Sequence, residues 1–438
     1  MFERYEIDSS FLEAPHEYCP RRIYSMTGHD AQIRLNFDQL RKERFDRMKK
    51  AMDEFDIDAL VLFYGPNIRY ALSLHQGLWK EGNMIRYSVV PRDGDPVHFE
   101  TAGSDLEVAK LDAPWMAGRI RPAITWKWTE GATEHMAKRM AESVYEVLKE
   151  NKIEKGMIGI DMTDQYSYEA FKNLGIKLVN PWPAITAARL IKTPQEIECL
   201  KIATAIGDAC LHKIKHEWLE PGVRESEIFA KAAAYLVERG FEYPGEIIVA
   251  SGGNSSPYRR WHTDRIMRNG DLVIIDLGGI GPGGYFIDYV RCYKIGGKWT
   301  KKEKELYREV YESMYGAIEQ CRPGNTTKDV ANKFKKFDDD KYRTTSLEQF
   351  GHSTGITLYE GLWISRAYSM DYPAEIKENM YLAVETYAGI STIRHGVPQG
   401  VRLEENFLVT KDGPVIFTLA EHEEECIEGL REYKVIHA

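Results

Sequence analysis

The sequence predicts an α+β protein with an α/β region in front of it, and three observations carry that reading. Helix-period and strand-like runs alternate from residue 38 to about 162. Pro181 and Pro183 then interrupt regular structure, and Thr193-Pro194-Gln195-Glu196 restarts it with a helix N-cap followed by proline. Beyond residue 240 the pattern changes to strand pairs joined by glycine-rich turns, with one more helix among them.

Each element follows from its pattern. Residues 1–35 show no clear period and read as an arm that packs on something else. In 38–56, Leu40, Phe45, Met48, Met52 and Phe55 recur at helical spacing with charges between them. The apolar run "IDALVLF" follows as a buried strand, and "GPNIRY" reads as a turn. "RYSVVPRDGDPVHFE" reads as two strands around Asp-Gly, and a helix over about 131–151 leads into the strand "MIGIDM". Past the boundary at 185/186, helices are expected over about 194–216, 225–239 and 302–321.

Composition removes several function classes. Hydrophobic residues make up 43% and charged residues 29%, which suits a globular chain with a sizeable core. A net charge of −9 argues against a general nucleic-acid surface. No apolar run is long enough for a membrane span, and the first residues lack secretory-signal character. The six cysteines are scattered without a C-x-x-C pair, so reduced core thiols and a cytoplasmic location are expected.

The stretch "LVIIDLGGIGPGGYFIDYVR", residues 272–291, contains G-x-G-x-x-G at Gly279, Gly281 and Gly284. A dinucleotide turn needs a helix after the glycines. "YFIDYVRCYKI" is β-branched, aromatic and alternating, so the glycines join two strands instead. A turn centred on Pro282 sets Asp276 opposite Asp288, where like charges are destabilising. A shared proton or a bound cation would relieve them, and a bulge sending one aspartate to solvent is the alternative. Further donors lie on similar elements. Glu385 sits in "NMYLAVETYAG", and His352 in "GHSTG". In "GVRLEENFLVT", Arg402, Glu404 and Asn406 share one face. Four carboxylates and one imidazole suit a pair of divalent ions such as Mn, Fe, Co or Zn, and the lack of thiolates excludes a structural zinc site.

These residues resemble a known family. The second half is similar to the metal-dependent peptidases of the M24 creatinase/aminopeptidase P/methionine aminopeptidase group, which have the pita-bread fold. The likeness rests on "IDLGG…GYFIDYVR", "GHSTG", "AVETYAG" and "GVRLEEN", supported by "RLIKTPQEIECLKIA" and "RPGNTTKDV". "FDIDALVLFYGPNIRY" resembles the creatinase N-terminal domain, so the likeness covers about 38–412. It implies an α/β creatinase-like domain over 36–185 and a pita-bread catalytic domain over 186–438. It also implies Asp276, Asp288, His352, Glu385 and Glu404 as ligands of two divalent ions, with Asp288 and Glu404 bridging. Glu385 is then the proton shuttle, with Glu360 and His262 as further catalytic candidates and Tyr359, Trp363 and His395 as substrate contacts. A homodimer is implied as well.

Departures from the family bear on the substrate. A second histidine usually stands seven residues after the first, and here that position is Tyr359. The loop between the aspartates is one residue longer than in the peptidases. Some features are more like the dimethylsulfoniopropionate lyase branch, although Gly278 and Leu358 stand where that lyase has aspartates. The expectation is a hydrolase or lyase acting on a small carboxylate-bearing metabolite, with an Xaa-Pro dipeptidase or aminopeptidase as the alternative. A non-enzymatic binding protein on the same scaffold is the third reading.

Overall fold

A computed structural model describes residues 35–74, 85–116, 118–336, 350–389 and 399–438. The arm up to residue 34 and His395 lie outside the described residues.

The first sheet is mixed, with spatial order β4-β3-β2-β1-β5-β6. Its strands are β1 Ala59–Leu62, β2 Tyr87–Pro91, β3 Val97–Glu100, β4 Ile120–Pro122, β5 Met157–Ile160 and β6 Lys177–Val179. Strand alternation explains why helices cover both faces. Leu60 and Leu62 pack with Met48 and Met52 of the helix Phe37–Glu54. Ala59 and Val61 pack with Met140 and Val144 of the helix Thr133–Glu150. The expected turn at "GPNIRY" is instead the helix Gly65–Leu72. Pro66 pre-sets its first turn, and Ile68, Tyr70, Ala71 and Leu72 are all buried by packing that a local reading does not supply.

The helix Pro194–Lys213 starts as expected. The Thr193 hydroxyl accepts from the Glu196 N–H, and the Glu196 carboxylate accepts from the Thr193 N–H. A five-residue π turn, Ile214–Trp218, continues this helix. Thr300 and Glu303 form the same reciprocal cap for Lys301–Ile318.

Two antiparallel sheets build the rest. One has β7 Ile247–Ser251, β8 Leu272–Ile280 and β9 Phe286–Lys294, in that order. The other runs β11-β10-β12-β13-β14-β15. Its strands are β10 Gly351–Ser353, β11 Trp363–Ile364, β12 Tyr381–Gly389, β13 Gly400–Thr410, β14 Gly413–Ile416 and the parallel edge strand β15 Ile436–His437. Val401, Leu403, Phe407 and Val409 of β13 enter a core with β8, β9, β12 and the helix Lys301–Ile318. The alternate residues Arg402, Glu404 and Asn406 face the other way, where Arg402 meets Asp276 of β8 and Asn406 meets Asp288 of β9. Both faces are therefore buried, and the charged face needs partners there.

The β8–β9 hairpin corrects the expected register. Gly281 N–H donates to Tyr285 C=O at 2.8 Å, leaving Pro282–Gly284 as the loop, centred on Gly283. Moving the centre by one residue moves every pair by two. Asp276 therefore faces Val290, and Asp288 faces Gly278. The aspartates stay on one face of the sheet but sit diagonally. Gly283 and Gly284 hold φ of 75° and 91°, a conformation that glycine adopts without strain. A Cβ on Gly284 would also overlap the Arg69 guanidinium, whose Nη1 donates to Glu242 at 2.6 Å.

Candidate active site

The directly opposed acidic pair lies on the other hairpin. In the β12–β13 register Glu385 faces Glu404. Such neighbours lie about 4.5–5.5 Å apart at Cβ, so two carboxylates there repel. Asp276 and Asp288 reach the same place from β8 and β9. Asn406 stitches the sheets together. Its Oδ1 accepts from the Asp288 N–H at 3.1 Å, and its Nδ2 donates to the Asp288 C=O. Asp276, Asp288, Glu385, Arg402, Arg260 and Tyr359 line one cavity of about 260 Å³.

Three of the five ligands expected from the sequence come into ligating range. Donor atoms of Asp288, His352 and Glu404 lie within 4.8 Å of one another. His352 Nε2 is 3.2 Å from Asp288 Oδ2 and 4.0 Å from Glu404 Oε1. His352 Nδ1 lies 3.1 Å from the Ser353 carbonyl. A carbonyl can only accept, so Nδ1 carries a proton, and Nε2 faces the carboxylates, donating to Asp288 in the charged ring and offering its lone pair once an ion displaces that proton.

Asp276 and Glu385 are joined by Arg402. Its Nη1 donates to Asp276 Oδ2 at 2.9 Å, and its Nε donates to Glu385 Oε2 at 2.9 Å. The guanidinium lies 4.7 Å from the Tyr258 ring centroid, and Tyr258 donates to Asp276 Oδ2 at 2.9 Å. Sequence reasoning noted Arg402 only as sharing a face with Glu404. Its period-2 relation to Glu404 on a doubly buried strand was the available signal for a cation among the acids.

The electrostatics show how crowded the site is. Burial, together with Asp288 and Glu385, outweighs Arg402 and Tyr258 and raises Asp276 to about 7. Burial is also the main cause that pushes Glu404 well above the usual carboxylate range, with Asp288 and Glu385 adding to it. For His352 burial acts downward, but the hydrogen bond and charge of Asp288 prevail and raise it. Both Glu404 oxygens are buried without a hydrogen-bond partner among the described residues. An orphaned carboxylate of this kind is costly unless a cation satisfies it. Together with Asp288 and the His352 Nε2 that faces it, this carboxylate fits a divalent ion.

The remaining candidates fall in different surroundings. Tyr359 lines the cavity, with its ring edge-on to His352 at 4.7 Å and stacked on Trp363 at 4.9 Å. Glu360, offered as catalytic, is instead sequestered between two buried cations. Arg189 Nη2 donates to its Oε1 at 2.7 Å, and Lys192 donates to its Oε2. Burial would raise this carboxyl, yet the two cations hold it down at about 2. Arg189 also donates to Asn67 Oδ1 at 2.7 Å, so the cluster ties the loop carrying Tyr359 to the first domain. Glu360 therefore positions its neighbour. The His262 ring stacks on Phe229 at 4.0 Å and on Trp261 at 5.1 Å, and it does not line the cavity. The arginine–carboxylate contacts and the Asn406 stitch were missed because they join residues far apart in the chain.

Comparison with known proteins agrees with this architecture. Residues 198–411 match Peptidase_M24, metallopeptidase family M24. The chain is 29% identical over 390 residues to an Xaa-Pro dipeptidase of Pyrococcus furiosus, covering 87% of this chain and 99% of that one. It is 22% identical over 391 residues to the dimethylsulfoniopropionate lyase DddP of Roseovarius nubinhibens, covering 86% and 85%. Among solved structures, the prolidase from Pyrococcus furiosus superposes with a TM-score of 0.65 at 26% identity, covering 85% of this chain and all of that one. The Xaa-Pro dipeptidase from Bacillus anthracis superposes at 0.68 with 22% identity, covering 91% and 99%. With the N-terminal domain, the pita-bread sheets and the acidic centre in place, residues 198–411 form a metallopeptidase family M24 domain and the chain is an enzyme.

Proposed function

We propose that this enzyme is a divalent-metal-dependent dipeptidase of the Xaa-Pro type. The carrying observation is the orphaned, buried Glu404 carboxylate beside Asp288 and the inward-facing Nε2 of His352. The names of the relatives favour the dipeptidase reading over the small-metabolite reading that the sequence put first.

Asp276, Asp288, His352, Glu385 and Glu404 would hold the metal, a donor set large enough for two ions of the Mn, Fe, Co or Zn type. A divalent ion held there polarises a carbonyl and brings the pKa of bound water toward neutrality. The chain's own residues do the rest. Arg402 holds the carboxylates of Asp276 and Glu385 in place. Glu385 faces the cavity and is positioned to pass a proton to the leaving amine. Arg260, exposed at the cavity wall, matches the carboxylate of a dipeptide. The stacked Tyr359 and Trp363 rings give an apolar wall for a proline ring. A cavity of about 260 Å³ suits a ligand at the small end of the usual range.

The reading takes 36–185 as the creatinase-like domain and 186–438 as the catalytic domain. It places the enzyme in the cytoplasm as a homodimer. Among the described residues no helix is long and apolar enough to cross a membrane, and the described cysteines are free.

A second reading, elimination or hydrolysis on a non-peptide carboxylate, is favoured by one observation. Tyr359 occupies the position where the peptidases have their second histidine, and its ring meets His352 edge-on. A substrate panel on metal-reconstituted protein separates the two. Ready turnover of Xaa-Pro dipeptides, with little of matched dipeptides lacking proline, is the expected result. Inert Xaa-Pro dipeptides alongside turnover of dimethylsulfoniopropionate or another small carboxylate would replace the dipeptidase reading with the second.

A further inference from the structure

We infer that His212, His216 and Glu421 form a second, surface site for a borderline divalent transition ion such as zinc or nickel. His212 lies in the last turn of the helix Pro194–Lys213, and His216 lies four residues on in the π turn. That spacing places both imidazoles on one face, with ring centroids 4.5 Å apart. Glu421 comes from the segment after β14. Its Oε1 is 3.5 Å from His212 Nδ1, and its Oε2 is 3.1 Å from His216 Nε2. One donor atom from each residue lies within 4.8 Å of the others. Metal–ligand bonds of about 2.0–2.2 Å need donors roughly 3.3 Å apart, within reach of small rotamer changes.

The third ligand is delivered by a pinned segment. Asp208, one turn before His212 on the same helix, accepts from Leu419 N–H at 2.9 Å and Ala420 N–H at 3.0 Å. Tyr289 donates to Asp208 at 3.0 Å and so fixes its orientation. From the other side Arg291 Nε donates to the Ala420 carbonyl at 2.9 Å. The backbone just before Glu421 is thus held at both its N–H and C=O groups. None of the three ligands lines the cavity of Asp276 and Asp288, so the site is separate from the M24 centre.

One group competes with a cation. Lys215 Nζ is 3.0 Å from Glu421 Oε2, and this contact keeps the Glu421 carboxyl below its ordinary value. Lys215 also has Glu423 at 3.6 Å, a partner it can keep when an ion takes Glu421. Two imidazoles and a carboxylate suit zinc or nickel better than magnesium or calcium. A bound ion would clamp the C-terminal segment to the end of the helix.

Zinc uptake by the untagged full-length protein tests this, read by equilibrium dialysis against free zinc and independent of turnover. Wild type is expected to bind one equivalent more than His212→Ala or His216→Ala, or to bind that equivalent about tenfold or more tightly. Lys215→Ala is expected to keep the equivalent and tighten it. His212 and His216 are exposed and Lys215 is half-buried, so the histidine variants retain the fold, which circular dichroism checks for all three. Equal stoichiometry and affinity in wild type and both histidine variants would overturn the inference.

Discussion

Glu404→Gln is expected to make the metal-free protein more stable while removing its activity. Glu404 is buried, faces Glu385 across the β12–β13 pair, and has neither oxygen hydrogen-bonded among the described residues. Without a metal the fold carries the penalty of an unsatisfied buried group, about 1–3 kcal/mol. A neutral amide removes the repulsion and can donate to the opposed Glu385. Melting in the presence of a chelator should rise by about 1–4 °C, since about 1 kcal/mol moves Tm by roughly 2–4 °C in a unit of about 150–250 residues and by less in a longer one. With metal supplied, kcat/KM should fall about 100-fold or more, because losing a ligand exceeds the effect of losing its supporting partner. Active sites hold strained groups that function requires, and this residue is such a case. A chelated variant that melts several degrees below wild type would show that Glu404 serves the fold rather than the ion.

The largest loss of stability is expected from Glu360→Gln. Arg189 and Lys192 are both buried against this carboxylate, and the substitution leaves two interior cations without their counter-charge. Breaking a buried pair in this way costs about 3–5 kcal/mol. The pH dependence has a definite sign. The folded carboxyl titrates at about 2, below its ordinary 4.5. Its contribution is therefore fully present above about pH 4.5 and is lost as pH falls toward 2. That shift corresponds to roughly 3 kcal/mol. Urea midpoints at pH 7 should separate wild type from the variant widely, and the gap should narrow between pH 4.5 and pH 2. A gap that stays constant over that range would remove the ionic explanation. Turnover should also fall, because the loop that carries Tyr359 into the cavity loses its anchor.

The contrast between Glu404 and Glu360 shows where sequence reading works. Local signals were legible: Thr193 and Glu196 announce their helix, and Asp276, Asp288, Glu385 and Glu404 lie on strands as their alternating surroundings indicate. The register of the β8–β9 hairpin was not. A three-residue loop centred one residue later moves Asp276 from Asp288 to Val290, and the sequence carries no marker for that shift. The directly opposed acids were consequently expected on the wrong hairpin. Long-range partners were also hidden. Arg402 meets Asp276 across 126 residues, and Arg189 meets Glu360 across 171. Only tertiary packing makes Arg402 the cation among the acids and Glu360 an anchor instead of a catalytic group.

The central claim is that Asp288, His352 and Glu404 are the core of the metal centre. Manganese binding, followed by the loss of the free-ion electron paramagnetic resonance signal, tests it most directly. Manganese favours the oxygen-rich centre over the histidine pair at the surface. Wild type should sequester manganese, and Asp288→Asn and His352→Ala should each leave it free at the same concentration. Undiminished manganese uptake by folded Asp288→Asn and His352→Ala would contradict the account.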